Sequence, residues 1–182
     1  MWHIQCASVT GRGHRRAGKP LQDRTFTLES GGVTAAALSD GAGSAEWSQE
    51  GAQIAAETAC RILCGQFERL YQAKTPTELR RAVLDPVRDA LERRAVELCV
   101  PVSELACTLL AVAAQGDRYL IFHLGDGVIA YQKAGAVRVA SIPWNGEFVN
   151  STVFITSRDA LRHCRVYRGT QTELEGFCLM SD

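Results

Sequence analysis

Residues 33–44 read Val-Thr-Ala-Ala-Ala-Leu-Ser-Asp-Gly-Ala-Gly-Ser, an apolar run that ends in an acidic residue and a Gly-rich turn. Short apolar runs bounded by turn residues are typical of buried strands. Asp40 therefore stands at the predicted end of such a strand, and Gly41 after it allows another group to approach the backbone closely. The stretch predicts a carboxylate presented on a rigid strand end.

Outward from this stretch, nine segments have the apolar runs or the two-residue alternation that predict strands. They form two groups, separated by one block of helical period, and they do not alternate singly with helices. This order favours an α+β fold with antiparallel sheets over a doubly wound parallel sheet. The predicted strands are residues 2–9, 24–28, 33–38, 106–113, 118–124, 128–132, 136–141, 153–156 and 176–180.

Between the two groups of strands, apolar residues recur with the period of an amphipathic α-helix. A first long helix is predicted to begin at Ser44, whose hydroxyl suits an N-cap. A second helix is predicted to begin at Thr75 or Thr77, and Pro86 should kink it or split it at Asp85.

Length and composition indicate one globular domain over residues 1–182. Twenty Lys and Arg against twenty Asp and Glu leave no net charge, which argues against a globally basic nucleic-acid-binding protein. The longest uncharged apolar-rich run, residues 105–116, is too short to cross a bilayer, and residues 1–9 lack the basic start of a signal peptide. We therefore expect a cytoplasmic monomer with no nucleic-acid or membrane partner.

Two other ligand-binding patterns are incomplete. Residues 13–20 match most of a phosphate-binding P-loop, but Pro20 stands where that loop needs a hydroxyl, and a predicted strand follows instead of a helix. The seven cysteines include no CxxC pair, so neither a disulfide framework nor a zinc ribbon is indicated. Cys60 and Cys64 could ligate a metal from one helix, although free cysteines are commonly small core residues.

Three further aspartates occupy the same kind of position as Asp40. Asp23 precedes a predicted strand, and Asp126 and Asp182 each follow an apolar one. A single such Asp is ordinary turn chemistry, but four carboxylates on strand ends could gather around hard divalent cations.

Five short motifs, in order along the chain, resemble those of the metal-dependent protein Ser/Thr phosphatases of the type 2C class, in their bacterial branch. The resemblance implies an α+β sandwich of two antiparallel sheets flanked by antiparallel helices, in α-β-β-α layers. It also implies hydrolysis of phosphoserine and phosphothreonine monoesters on proteins. The motifs are Leu21-Gln22-Asp23-Arg24, Ser39-Asp40-Gly41-Ala42-Gly43-Ser44, Ala106-Cys107-Thr108-Leu109-Leu110, Leu124-Gly125-Asp126-Gly127-Val128 and Leu179-Met180-Ser181-Asp182.

The resemblance implies a site for two Mg²⁺ or Mn²⁺ ions and a weaker third. Asp40 would bridge the two ions, and the Gly41 carbonyl would bind one of them. Asp182 would hold the first ion, Asp23 would hold the second directly or through water, and Asp126 would recruit the third. Two such cations lower the pKa of a shared water, so that hydroxide can attack phosphorus in line without a covalent enzyme intermediate.

A basic group is expected to bind the phosphate oxygens and to offset charge in the transition state. Five basic residues lie between positions 12 and 24, and Arg16, Arg15 and then Lys19 are the candidates. Solvated loop charges and a nucleic-acid-binding patch are the alternatives for this cluster. The candidate partners are a phosphoprotein substrate and a cognate Ser/Thr kinase or its target.

The sequence also departs from the family pattern. Gly18 stands near the place of the family's phosphate-binding Arg, and Gly127-Val128 replaces Ser-Arg. The sequence ends at Asp182, so we expect a domain without its last strand or strands and with weaker metal binding. A weakly active or inactive relative that binds phosphopeptides is therefore the alternative function. Residues 145–150 occupy the place of a flap over the site in relatives.

Overall fold

The computed structural model describes residues 2–18, 20–143, 152–170, 172 and 174–181. Lys19, Asp182 and the flap segment predicted at 145–150 lie outside the described residues. The helices are α1 (Arg12–Ala17), α2 (Ser48–Gly65), α3 (Phe67–Tyr71), α4 (Pro76–Leu98) and α5 (Ala160–His163), with a 3-10 turn at Val102–Leu105. The strands are β1 (Arg24–Ser30), β2 (Val33–Ser39), β3 (Leu109–Gln115), β4 (Arg118–Leu124), β5 (Val128–Lys133), β6 (Ala136–Ser141), β7 (Arg165–Thr170) and β8 (Leu174–Met180).

The strands form two sheets in which every described pairing is antiparallel. One sheet has five strands in the order β1-β2-β3-β4-β7, and the other has three in the order β6-β5-β8. The predicted α+β sandwich of antiparallel sheets is therefore confirmed. No helix in the described part of the chain is long and apolar enough to cross a membrane.

Both faces of the five-stranded sheet are buried along its central strands β2, β3 and β4. Alternate residues of β4 show this, because Leu120 and Phe122 join the core under α2 and α4, while Ile121 joins the core between the two sheets. Every residue of β3 except the last is buried, which explains its uninterrupted apolar sequence. The helices thus pack on one face of this sheet and the three-stranded sheet covers the other.

The starts of two helices depend on hydrogen bonds. The prediction that the first helix begins at Ser44 was wrong: α2 begins at Ser48. The residues before it are held in turns, where the Trp47 N–H donates to the Glu104 carbonyl at 3.0 Å. In α4 the N-cap is Thr75, whose hydroxyl accepts the Glu78 N–H at 3.1 Å.

Helix α4 runs unbroken through Pro86, so of the two predicted outcomes, a kink or a split at Asp85, the split is wrong. A proline inside a helix removes one backbone hydrogen bond. The surrounding turns compensate because Val83, Val87 and Leu91 are fully buried against the core. Helix α2, by contrast, ends at Gly65, and Gln66 separates it from the short helix α3.

Three strand assignments differ from the sequence-based prediction. Residues 2–9 and 153–156 form no strand. Strand β7, in contrast, was not predicted, because its arginines interrupt the apolar pattern. It lies at the edge of the five-stranded sheet, where the Arg168 guanidinium donates to the carbonyls of Tyr71 and Ala73, each at 2.6 Å.

His123 of β4 connects the two sheets. Its side chain is buried between them, and Nδ1 lies 2.6 Å from the Ser141 hydroxyl of β6. Burial lowers the pKa of His123 to about 4, and the positive charge of Arg165 acts in the same direction. The imidazole is therefore neutral in the folded protein at neutral pH.

We expect the protein to lose stability as the pH falls from about 6.5 to 4. The unfolded chain takes up the His123 proton near the ordinary pKa of 6.5, whereas the folded chain resists it until about 4. The stability that depends on neutral His123 is thus complete above 6.5 and lost as the pH falls through 4. Its size is on the order of 3 kcal/mol.

Urea unfolding at a series of pH values checks this expectation. His123→Gln should flatten the pH dependence in this window, while His3→Gln, at an exposed position, should keep the wild-type profile. If His123→Gln and the wild type lost stability in parallel, the expectation would be wrong.

Candidate metal centre

Asp23 and Asp40 lie at the same end of neighbouring strands. Arg24 of β1 is paired with Ser39 of β2, so the two aspartates stand one residue beyond that last pair. Both are half-buried. The Arg24 guanidinium donates to the carbonyls of Leu21 at 2.7 Å and Asp23 at 2.8 Å, which fixes the turn before β1. The register therefore brings the two carboxylate-bearing residues to one edge.

The Asp40–Gly41 segment is fixed by its backbone. The Asp40 N–H donates to the Thr108 hydroxyl at 2.9 Å, and Gly41 forms an isolated bridge with Cys107. A Cβ on Gly41 would lie 2.8 Å from backbone atoms of Ser48. Only glycine fits this close approach to the start of α2, so the position of the Gly41 carbonyl is set by packing.

Gln22 connects the turn that carries Asp23 with the segment after Asp40. Its buried side-chain amide donates to the Ser48 hydroxyl at 2.7 Å and to the Ala42 carbonyl at 3.5 Å. In the sequence Gln22 stands out only as a member of the motif Leu21-Gln22-Asp23-Arg24. Its structural role was missed because Ser48 is 26 positions away along the chain.

Asp126 reaches the same end of the five-stranded sheet between two glycines. Gly125 has φ +123°, and a Cβ there would lie 2.5 Å from the Thr108 methyl carbon. A Cβ on Gly127 would lie 2.5 Å from the Met180 carbonyl oxygen. The Thr152 hydroxyl donates to the Asp126 carboxylate at 2.6 Å. The turn thus lies against both the start of β3 and the end of β8.

Strand β8 brings the residue before Asp182 to this region. Met180 is paired with Val128, directly after the Asp126 turn. Ser181 and Asp23 line a common cleft of about 680 Å³ between the two sheets. Asp182 itself lies outside the described residues, and among the residues that the structure does describe no three His, Cys, Asp or Glu side chains form a metal-binding group.

The predicted phosphate-binding residues lie on a separate short element. Arg15 and Arg16 are exposed on the six-residue helix α1. A basic residue that the sequence did not suggest, Arg165 of β7, lines a small pocket with Asp126 and His123. It was missed because β7 itself was not predicted; its guanidinium donates to the Ile142 carbonyl.

The donor atoms at this end suit a hard divalent cation. Carboxylate and carbonyl oxygens are the ligands that Mg²⁺ and Mn²⁺ prefer. The thiol of Cys107, the residue that bridges to Gly41, is fully buried, and burial raises its pKa to about 12, with the Asp40 charge acting in the same direction. Cys107 therefore stays protonated and offers no thiolate, which leaves oxygen atoms as the candidate donors at this end of the sheet.

Comparisons with known proteins agree with this geometry. The family model for protein phosphatase 2C matches residues 10–182. Serine/threonine-protein phosphatase 3 of Escherichia coli (strain K12) is 26% identical over 174 residues, which cover 93% of this chain and 68% of that protein. Among solved structures, a bacterial serine phosphatase superposes with a TM-score of 0.64 at 13% identity, over 90% of this chain and 72% of the other. RsbX in complex with magnesium superposes with a TM-score of 0.51 at 11% identity, over 84% and 62% of the two chains.

Proposed function

The chain belongs to the protein phosphatase 2C family, and from this premise we propose that it hydrolyses phosphoserine and phosphothreonine on proteins with the help of two Mg²⁺ or Mn²⁺ ions. That it is a protein serine/threonine phosphatase follows from the family and from the E. coli relative. The observation that carries the metal proposal is the position of Asp23 and Asp40, one residue beyond the last pair of β1 and β2. RsbX, which has the same fold, was solved with magnesium and supports it.

We assign the metal-binding roles as the family pattern places them. Asp40 would bridge the two ions and the Gly41 carbonyl would bind one of them. Asp23 and Asp182 would each complete one side of the pair, and Asp126 would bind a weaker third ion. The ions, when bound, supply a water nucleophile at neutral pH and offset the charge of the phosphoryl group.

The chain's own part in the reaction is to hold these oxygen ligands still. Thr108 and Cys107 fix the backbone of Asp40 and Gly41, and Gln22 ties the Asp23 turn to the same segment. Rigid placement matters because ligands supported by their surroundings need no reorganisation during reaction.

We propose that a basic residue from the segment before Asp23 binds the phosphate oxygens, with Arg16 and Arg15 as the first candidates and Lys19 as the third. The exposure of both arginines leaves them accessible to a phosphoprotein. A guanidinium suits this task because its fork of N–H donors matches phosphate oxygens.

We extend the proposal to the cellular setting. All seven cysteines are free thiols, three of them exposed, which is the state that a reducing cytoplasm maintains. A cytoplasmic phosphatase would meet phosphoproteins there, and a cognate Ser/Thr kinase or its target is the partner that we propose.

The metal proposal predicts that hydrolysis of phosphoserine and phosphothreonine peptides needs Mn²⁺ or Mg²⁺. Chelation with EDTA should lower the rate of phosphate release by at least about 100-fold, and added Mn²⁺ should restore it. Phosphate release that is indifferent to chelator would contradict the metal proposal. Phosphopeptide binding without phosphate release, at any metal concentration, would support the regulatory alternative instead.

A further inference from the structure

We propose that Thr108 is a positioning residue for this reaction. Its hydroxyl group holds the backbone of Asp40, and its methyl group sets the position of the turn that carries Asp126. This role rests on the proposed function, because that function makes Asp40 and Asp126 metal ligands.

The hydroxyl side of Thr108 is part of a three-bond connection between β2 and the start of β3. The Ser39 hydroxyl donates to the Thr108 carbonyl at 2.5 Å. The Thr108 N–H donates to the Asp40 carbonyl at 2.9 Å, and the Asp40 N–H donates to the Thr108 hydroxyl at 2.9 Å. Any residue except proline could make the two bonds that use the Thr108 backbone, but the third requires a hydroxyl at position 108.

That third bond decides the orientation of Asp40. Asp40 follows the last residue of β2, so its N–H lies beyond the regular ladder of the strand. The Asp40 N–H is part-buried and its acceptor Thr108 is only 1% exposed, so losing this hydrogen bond is unfavourable enough for the backbone to move instead. Rotation of the peptide between Ser39 and Asp40 would redirect the Asp40 side chain and the Gly41 carbonyl together.

The methyl group of Thr108 faces the turn that carries Asp126. Leu109 of β3 is paired with Leu124 of β4, so Thr108 and Gly125 oppose each other one step beyond that pair. A Cβ on Gly125 would come within 2.5 Å of the Thr108 methyl carbon, which shows that the Gly125 backbone rests directly on it. Asp126 comes next, so one buried side chain contacts both turns.

Two substitutions separate these contacts. Thr108→Val keeps the shape and the methyl group but cannot accept the Asp40 N–H. Thr108→Ser keeps the hydroxyl and gives up the methyl group. Thr34→Val is the matched control, because Thr34 lies at the opposite end of β2 from Asp40.

We expect Thr108→Val to raise the dissociation constant for Mn²⁺, measured by titration calorimetry on metal-free protein, at least about tenfold. Thr108→Ser should stay within about threefold of the wild type for the two main ions, because the methyl group that it loses bears only on the turn of Asp126, the proposed ligand of the weaker third ion. Thr34→Val should be unchanged. Without metal, hydrogen exchange of the Asp40 amide should accelerate at least about tenfold in Thr108→Val, while the Val112 amide inside β3 stays protected.

The exchange measurement needs no metal, so it separates this role from the proposed function. If the wild type binds Mn²⁺ but Thr108→Val binds it equally well, or protects the Asp40 amide equally, the role of Thr108 is wrong and the proposed function stands. Loss of protection throughout β3 would show a merely structural role and would also overturn the inference. A wild type that binds no Mn²⁺ would overturn both.

Discussion

Asp40→Asn should lower Mn²⁺-dependent hydrolysis of p-nitrophenyl phosphate by more than about 100-fold. The amide has nearly the same size as the carboxylate, but it carries no charge and cannot bridge two cations. The backbone of Asp40 should stay in place, because its N–H and carbonyl are both bonded to Thr108. The substitution therefore tests the ligand and not the fold.

The matched control for this substitution is Asp117→Asn. Asp117 is exposed in the turn between β3 and β4, at the far end of the sheet from Thr108 and Gly125. It should retain wild-type turnover, and circular dichroism should show both variants folded. If the folded Asp40→Asn variant kept turnover within a few-fold of the wild type, Asp40 would not be a metal ligand and the metal proposal would be wrong.

Gly51→Ala should lower the free energy of unfolding by about 2–3 kcal/mol. A Cβ at position 51 would overlap the Leu105 carbonyl oxygen and lie 2.8 Å from its carbonyl carbon. These are backbone atoms of a fully buried residue and cannot turn aside as a side chain could. The overlap is therefore relieved only if α2 moves away from the segment that leads into Thr108. The same movement should weaken Mn²⁺ binding, because α2 begins beside Gly41.

Gly65 in the same helix provides the control for Gly51. No heavy atom outside the local helix lies within 4 Å of a Cβ built at Gly65. Gly65→Ala should therefore leave stability unchanged or raise it by up to about 1 kcal/mol, because alanine is the better helix former. Urea unfolding of both variants measures the difference. Equal destabilisation by the two substitutions would show that contact with Leu105 is not what requires glycine at position 51.

The sequence identified most of the elements because hydrophobic period is a local property. The predicted strand at 118–124 coincides with β4, and Thr75 was one of two predicted starts for the helix that became α4. The prediction failed where long-range contacts override the pattern. Ser44 looked like an N-cap, but the Trp47 N–H is bonded to the Glu104 carbonyl and the helix begins only after that turn.

In the candidate site, too, some features were visible in the sequence and others depend on tertiary contacts. The motifs around Asp23, Asp40 and Asp126 were visible as acidic residues next to apolar runs and glycines, and strand register places them at one end of the sandwich. Their roles as ligands, together with that of Asp182, remain predictions that the Mn²⁺ experiments address. The positioning contacts of Gln22 could not be predicted, since an isolated glutamine carries no pattern.

The amino-acid sequence alone thus indicated which segments form buried strands or amphipathic helices, and which carboxylates lie at the ends of the predicted strands. Only the tertiary structure shows that the Thr108 hydroxyl accepts the Asp40 N–H, that Gly51 contacts Leu105, and that β7 forms the edge of the five-stranded sheet. The physical reason is the distance along the chain over which each feature is encoded. Buried side chains recur about every two residues in a strand and every three to four in a helix, so neighbouring residues suffice to reveal them. A hydrogen bond or a close backbone approach depends instead on which distant atoms come within about 3 Å, and only the folded chain brings them there.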